Sequence, residues 1–230
     1  MTRAGAEPRI VHSDEWIVVI DKPAGLVVHP APGHHAPTLV ELLPGLGGGS
    51  EEFRPGIVHR LDKDTSGLLV AARNEEAHTA LASQVAAREV GREYLALVEG
   101  RLPSREGTID ALIGRSHRDR TRMAVSGRGQ REARTHFAVL ELLPADTLAE
   151  VRLETGRTHQ IRAHFAAIGH PVAGDPTYGS AGRHGLGRQF LHSRRLSFRH
   201  PGSGEEVGFD SPLPEDLETA LERARRQQGS

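Results

Sequence analysis

A nine-residue polar stretch, His59-Arg60-Leu61-Asp62-Lys63-Asp64-Thr65-Ser66-Gly67, stands between two apolar runs, Ile57-Val58 and Leu68-Leu69-Val70-Ala71-Ala72. Apolar runs this short, bounded by turn-forming residues, suit buried strands better than helices. The polar stretch is therefore expected to be a loop set between strands and held by a sheet on both sides, and chemistry concentrates in loops on rigid scaffolds. Two carboxylates, two cations, an imidazole and two hydroxyls gather in it. Local composition leaves two readings open: a reactive site, or turn formers and caps that bond nearby backbone amides.

Short apolar runs separated by turn signals continue along the chain. Arg9 to Val11 and Trp16 to Ile20 read as strands, Asp21-Lys22-Pro23-Ala24-Gly25 as a turn, and Leu26 to Val28 as extended chain. Thr38 is expected to cap a short helix through Leu43, and Gly45 to Phe53 to form a flexible loop. Asn74 suits the cap of a helix from Glu75 to about Arg88, with Ala77, Leu81, Val85 and Arg88 on one face. Strands are expected at Glu93 to Val98 and Thr108 to Ile113, then a hairpin of Ala133 to Leu143 with Leu148 to Glu154. A helix from Arg157 or Thr158 to Ile168, stopped by Gly169 and Pro171, should turn Ile161, Phe165 and Ile168 to the core. Phe190 to Arg199 and Glu206 to Phe209 read as late strands, and Pro214 to Arg226 as an amphipathic helix with Leu217, Ala220, Leu221 and Ala224 inward. Many strands with few helices predict an α+β domain around a mixed, mostly antiparallel sheet flanked by helices. Residues 1–8 read as a disordered lead-in and 9–226 as one domain, with no internal repeat and no second-domain boundary.

Composition narrows the chemistry. The 230 residues suit one domain, and a mean hydropathy of -0.42 with 37% hydrophobic residues predicts a soluble globular protein. No apolar run approaches the roughly eighteen residues of a membrane span, and the start is too polar for a signal peptide, so the cytoplasm is the expected compartment. The absence of Cys excludes disulfides, thiolate nucleophiles and Cys-ligated metals. Among the 14 His, His34-His35 are adjacent and His159 and His164 five apart, so neither pair has the i, i+4 spacing of a helical zinc site, and no metal is expected. No phosphate-binding glycine loop is present either.

A net charge of -1 does not announce a nucleic-acid binder, but its distribution is uneven. Residues 115 to 134 carry Arg115, Arg118, Arg120, Arg122, Arg128, Arg131 and Arg134 against only Asp119 and Glu132. The segment reads either as a solvated loop or as a lobe that contacts phosphates. Cations are otherwise almost all Arg, with 27 Arg and 2 Lys; Lys22 and Lys63 mark two places where a compact ammonium is useful.

H-R-L-D-K-D-T-S-G resembles the signature of the RNA pseudouridine synthases that modify ribosomal and transfer RNA. The resemblance continues through Asp21-Lys22-Pro23-Ala24-Gly25-Leu26, Arg92 to Leu97, Glu154 to Arg162 and Gly169 to Gly179, in the family's order, over roughly residues 8 to 215. Gly114 to Thr135 and the E-T-G-R-T-H-Q-I-R block are most similar to the bacterial large-subunit ribosomal RNA enzymes of the D type. The resemblance implies the same α+β fold and an RNA substrate, ribosomal RNA first with transfer RNA as the nearest alternative; nothing in the sequence argues against a monomer. Relatives often carry a small N-terminal RNA-binding module; here the motifs begin almost at Met1, so the module is expected to be absent from the chain as given.

Making pseudouridine breaks the bond from ribose C1′ to uracil N1, rotates the base and rejoins it through C5. This is an isomerisation, so no cofactor is required. The resemblance makes Asp62 the nucleophile, without choosing between attack at C1′ and at C6 of the base. Asp64, two residues on, raises the alternative of a paired-carboxylate hydrolase, and the motif favours Asp62. By the same resemblance Arg162 pairs with the catalytic carboxylate, and Tyr94 packs against the uracil and assists proton removal at C5. Arg60 matches the arginine that fills the space left by a flipped base. Lys63, Arg157, His159 and Gln160 are candidate RNA contacts, and Leu191 matches an apolar pocket wall. A noncatalytic RNA-binding assembly factor with the same fold is the rival from another class; intact Asp62, Tyr94 and Arg162 speak against it.

Overall fold

The structure, a computed structural model, describes residues 7–30, 35–50, 54–119 and 122–226. Arg120, His34 and most of the expected N-terminal lead-in lie outside them. In chain order the strands are β1 (Arg9–Ser13), β2 (Ile17–Lys22), β3 (Ser66–Ala72), β4 (Gly91–Glu99), β5 (Glu106–Asp110), β6 (Ile113–Arg115), β7 (Met123–Ala124), β8 (Arg128–Arg131), β9 (Arg134–Leu142), β10 (Asp146–Leu153), β11 (Leu191–Arg199) and β12 (Glu206–Asp210). The helices are α1 (Leu39–Leu42), α2 (Glu75–Ala87), α3 (Gln160–Ala167) and α4 (Glu215–Arg226). The fold class is α+β, as expected. The chain gathers into two compact units, one from Met1–Arg92 with Ser193–Ser211, the other from Glu93–His192 with Pro212–Ser230.

The first unit is built on strands in the order β1-β2-β3-β11, with β12 paired to β11. The β1–β2, β2–β3 and β11–β12 ladders run antiparallel. Every residue of β3 is buried, as its unbroken apolar sequence requires. Its Leu68, Val70 and Ala72 join Ile17, Val19, Leu196 and Phe198 in one core, against which α2 lays Ala77 and Leu81. Asn74 caps α2 as expected, its side chain accepting from the Ala77 amide at 2.8 Å. Arg88, expected on the face of Ala77, Leu81 and Val85, ends the helix in the left-handed region at φ 63° and is exposed. Before the signature loop the expected strand shrinks to one bridge, Ile57 to Ala71. Leu26 to Val28 form no ladder, although the Val27 and Val28 carbonyls accept from the Leu39 and Val40 amides.

The second unit carries the antiparallel order β4-β10-β9-β5 and a separate three-stranded sheet, β7-β6-β8. That small sheet is the arginine segment, and the expected strand at 108–113 divides at Ala111-Leu112 so that its end can join it. α3 starts later than expected because His159 is left-handed, at φ 55°. Its residues from Gln160 to Phe165 are all buried, whereas Ile168, expected inside, is 41% exposed where the helix ends. α4 buries Leu217, Ala220, Leu221 and Ala224 as its periodicity requires. Among the described residues no helix is long and apolar enough to cross a membrane.

Candidate active site

The signature loop is anchored from both ends within the first unit. Lys22 is fully buried at the end of β2, and its ammonium donates to the carbonyls of Pro23, Leu26 and Lys63, each at 2.9 Å. The Lys63 carbonyl also accepts from the Gly25 amide at 2.9 Å. The turn at Pro23-Ala24-Gly25 and the signature loop are thereby stapled through one backbone oxygen. Three carbonyls converging on a point suit a compact, rotatable ammonium and not a planar fork, which accounts for a lysine in an arginine-rich chain.

At the loop's exit Gly67 has φ 107°, and a Cβ there would stand 2.2 Å from the Ser193 carbonyl oxygen, so only glycine fits. Ser193 donates its hydroxyl to the Leu68 carbonyl at 3.0 Å. At the entrance His59 is buried, and its Nε2 accepts from the Val70 amide at 3.2 Å. Burial, with the nearby Arg92 charge second, pushes the His59 pKa down to about 3. His59 is thus a neutral anchor on β3 and not a general base. Between the clamps, Asp62 accepts from the Thr65 amide through its carbonyl at 3.2 Å and stays half-buried, as does Asp64, while Arg60 and Lys63 expose their side chains. A half-buried carboxylate on a rigid turn is reachable by a substrate and can act on it.

In the second unit Arg162 is 5% exposed and forks onto Asp175, with Nε to Oδ2 at 2.6 Å and NH2 to Oδ1 at 2.9 Å. Asp175 is completely buried, and its Oδ1 also accepts from the Thr177 and Tyr178 amides at 2.8 and 3.2 Å. Sequence reasoning did not name Asp175, although its motif was noticed; the signal was that a guanidinium entering a core needs a carboxylate. Tyr178 lies beside this pair, its ring centroid 5.2 Å from the Arg162 guanidinium carbon.

Gln160, expected as an RNA contact, is 2% exposed and engaged within the protein. Its oxygen accepts from the Thr155 hydroxyl and the Arg157 amide at 2.8 and 3.0 Å, and its nitrogen donates to the Arg134 carbonyl and the Thr135 hydroxyl, each at 3.0 Å. That amide braces the turn before α3 and leaves no atom for RNA. His159 is half-buried, edge-on to Tyr178, with Nδ1 3.1 Å from its hydroxyl. Arg157 donates to the Glu132 carbonyl at 3.0 Å. Tyr94 and Leu191 are 5% and 4% exposed on β4 and β11. Arg115, Arg128 and Arg131 of the small sheet and Arg118 in the connection after β6 are exposed, whereas Arg134 is committed to Asp110 at 2.7 Å and Glu154 at 3.2 Å.

Among the described residues one cluster has the composition of a metal site, His12, Asp14 and His200. The hydrogen bonds oppose that use. His200 Nδ1 accepts from the Gly202 and Ser203 amides at 3.2 and 3.1 Å, so its Nε2 carries the proton and donates to Asp14 at 2.9 Å. An Nε2 that is protonated by its own surroundings has no lone pair for a cation.

Comparison with known proteins gives a consistent answer. A family model described as RNA pseudouridylate synthase matches residues 16–167. An uncharacterized RNA pseudouridine synthase of Bacillus subtilis is 49% identical over 228 residues, covering 96% of this chain and 75% of that protein. The ribosomal large subunit pseudouridine synthase D of Nitrosomonas europaea is 49% identical over 229 residues, covering 94% of this chain and 65%, just under two thirds, of that protein. Among solved structures, human RNA pseudouridylate synthase domain containing 1 superposes with a TM-score of 0.70 at 27% identity, over 100% of this chain and 99% of that one.

Proposed function

Because this chain belongs to the RNA pseudouridylate synthase family, we propose that it isomerises specific uridines of large-subunit ribosomal RNA to pseudouridine, as a cytoplasmic monomer. Relatives named ribosomal large subunit pseudouridine synthase D, at 46–49% identity, support the ribosomal target over transfer RNA. The observation that carries the reading is the clamped loop: His59 before it, and Lys22 (through the Lys63 carbonyl) and Gly67 after it, fix the backbone around a half-buried Asp62.

In the reaction the bond from C1′ to N1 breaks and the freed base turns within the site. A bond from C1′ to C5 forms, C5 loses its proton, and N1 ends with one. Asp62 is the nucleophile that opens the glycosidic bond, since a carboxylate stabilises or traps the electron-poor sugar or base. We assign Tyr94 and Arg162 the roles that the resemblance implies. Arg60, exposed beside Asp62, fills the space left by the flipped base, and the exposed Lys63 contacts the RNA. Leu191 is the apolar wall, while Arg157 and His159 act at the turn that leads into α3.

The test is tritium release from RNA labelled at uridine C5, with whole ribosomal RNA and bulk transfer RNA as separate substrates. Release from ribosomal RNA, abolished by Asp62→Asn, is the expected result. Release from transfer RNA alone would reassign the target. Release that survives Asp62→Asn would remove Asp62 from the mechanism.

A further inference from the structure

The arginine-rich small sheet is joined to the Arg162–Asp175 pair through one side chain. Tyr178 accepts at its hydroxyl from the Met123 amide at 2.8 Å and lies 3.2 Å from the Met123 carbonyl. Met123 opens β7, the outer strand of the sheet that bears Arg115, Arg128 and Arg131. The same hydroxyl is 3.1 Å from His159 Nδ1, at the start of α3. The ring of Tyr178 lies between the two systems in another sense: the guanidinium carbons of Arg162 and Arg122 are 5.2 and 5.6 Å from its centroid. Underneath, Met123 and Tyr178 pack together on Ile113, Ala133 and Ala163, so sheet, helix and tyrosine share one small apolar base.

The two ends of the side chain have separable duties. The ring faces Arg162, whose own position is fixed by Asp175. The hydroxyl reaches the backbone of a sheet that is only three short strands, the outer one of two residues. Two paired residues supply little independent stability, so bonds from outside the sheet decide where its arginines stand. We propose that Tyr178 is a positioning residue: its hydroxyl docks the arginine lobe, strands β6, β7 and β8, and thereby aligns that lobe's phosphate contacts with Arg162. The inference rests on the RNA pseudouridine synthase reading and extends it from the reacting groups to how the substrate is gripped.

The experiment compares the native chain with Tyr178→Phe and Tyr178→Leu. Two readouts are used, C5 tritium release at varied RNA and salt concentration, and limited trypsin digestion without RNA, with cleavage at Arg115, Arg128 and Arg131 quantified by mass. Removing the hydroxyl alone is expected to speed cleavage in the lobe and to raise KM about fivefold to tenfold, the effect of one or two lost hydrogen bonds. The salt dependence of KM should become shallower, since an undocked lobe engages fewer phosphates. kcat should fall much less than KM rises in Tyr178→Phe, and should fall further in Tyr178→Leu, which also removes the ring from Arg162. Unchanged tryptic cleavage overturns the inference, as does faster cleavage with unaltered KM and salt dependence, which would make the tyrosine merely structural. Should Tyr178→Phe fail to fold, Arg122→Gln loosens the same joint from the lobe side and must give the same faster cleavage at the remaining arginines. If the native chain releases tritium from no RNA, the enzymatic reading fails, and the digestion still decides whether Tyr178 docks the lobe.

Discussion

Replacing Lys22 with methionine removes the ammonium that ties the signature loop to the neighbouring turn, and the structure sets the size of the effect. Three carbonyls lose a charged donor at 2.9 Å. The Lys63 carbonyl keeps its bond from the Gly25 amide, so the Pro23 and Leu26 carbonyls bear the loss. An orphaned buried acceptor costs about 1–3 kcal/mol, which makes roughly 2–6 kcal/mol an upper bound for these two half-buried carbonyls. Relief from holding a buried charge offsets part of that. The expected net loss is about 3 kcal/mol, and for a chain of this size about 2–4 °C of melting temperature accompanies each kcal/mol. A calorimetric melt of Lys22→Met should therefore shift down by roughly 6–12 °C. The local signature is sharper. Hydrogen exchange at the Gly25 and Thr65 amides should accelerate, because both bond to the loop backbone that the ammonium holds. A melting point within about 2 °C of the native value, with those amides still protected, would refute the assignment of Lys22 as the staple.

Two further outcomes follow from buried groups. His59 is neutral when folded and binds protons readily when unfolded, so its contribution to stability is complete above pH 6.5 and is lost as pH falls toward about 3. Near pH 4.5 this amounts to about 3 kcal/mol, and chemical denaturation across pH should show His59→Gln, which can still accept from Val70, with a flatter acid limb than the native chain. His164, whose pKa burial also lowers, adds loss of the same sign in both proteins and leaves their difference intact. Asp175→Asn takes the negative charge from one buried carboxylate under the Arg162 fork and should cost about 3–5 kcal/mol in a urea titration. Because the fork also orients Arg162, tritium release should drop more than stability alone explains when both proteins are fully folded; equal rates at saturation would refute that orienting role.

The elements that were legible in the sequence are those whose signals are local. Asn74 ahead of a helical pattern, the Leu217, Ala220, Leu221 and Ala224 stripe, and the hairpin over Pro144 to Asp146 all formed where periodicity and turn chemistry placed them. Boundaries failed where a distant partner decided them. α3 begins at Gln160 because the Gln160 amide is drawn to Arg134 and Thr135, 26 and 25 residues away in sequence, and neither is visible from the helix itself. Ile168 matched the helical core pattern yet lies at the frayed end, beyond the packed surface. In the candidate site, the motif supplied Asp62, Tyr94 and Arg162, but not the pieces that hold them. Lys22 was marked by being a rare lysine inside a noticed block, and Asp175 by nothing beyond its place in another. Gln160, expected as an RNA or pocket contact, spends its side-chain amide on Thr155, Arg157, Arg134 and Thr135, bonds that the motif itself does not display.

The close approach of Gly67 to Ser193 also orders events during synthesis. The strand that fixes the exit of the signature loop is translated more than a hundred residues after it, and closing so long a loop is slow and entropically costly. A ribosome adding about 5–20 residues per second needs several seconds to deliver it. Throughout that interval the nascent chain carries Asp62 on a loop whose far clamp does not yet exist. The turn around Asp62 acquires its final geometry only when Ser193 has emerged.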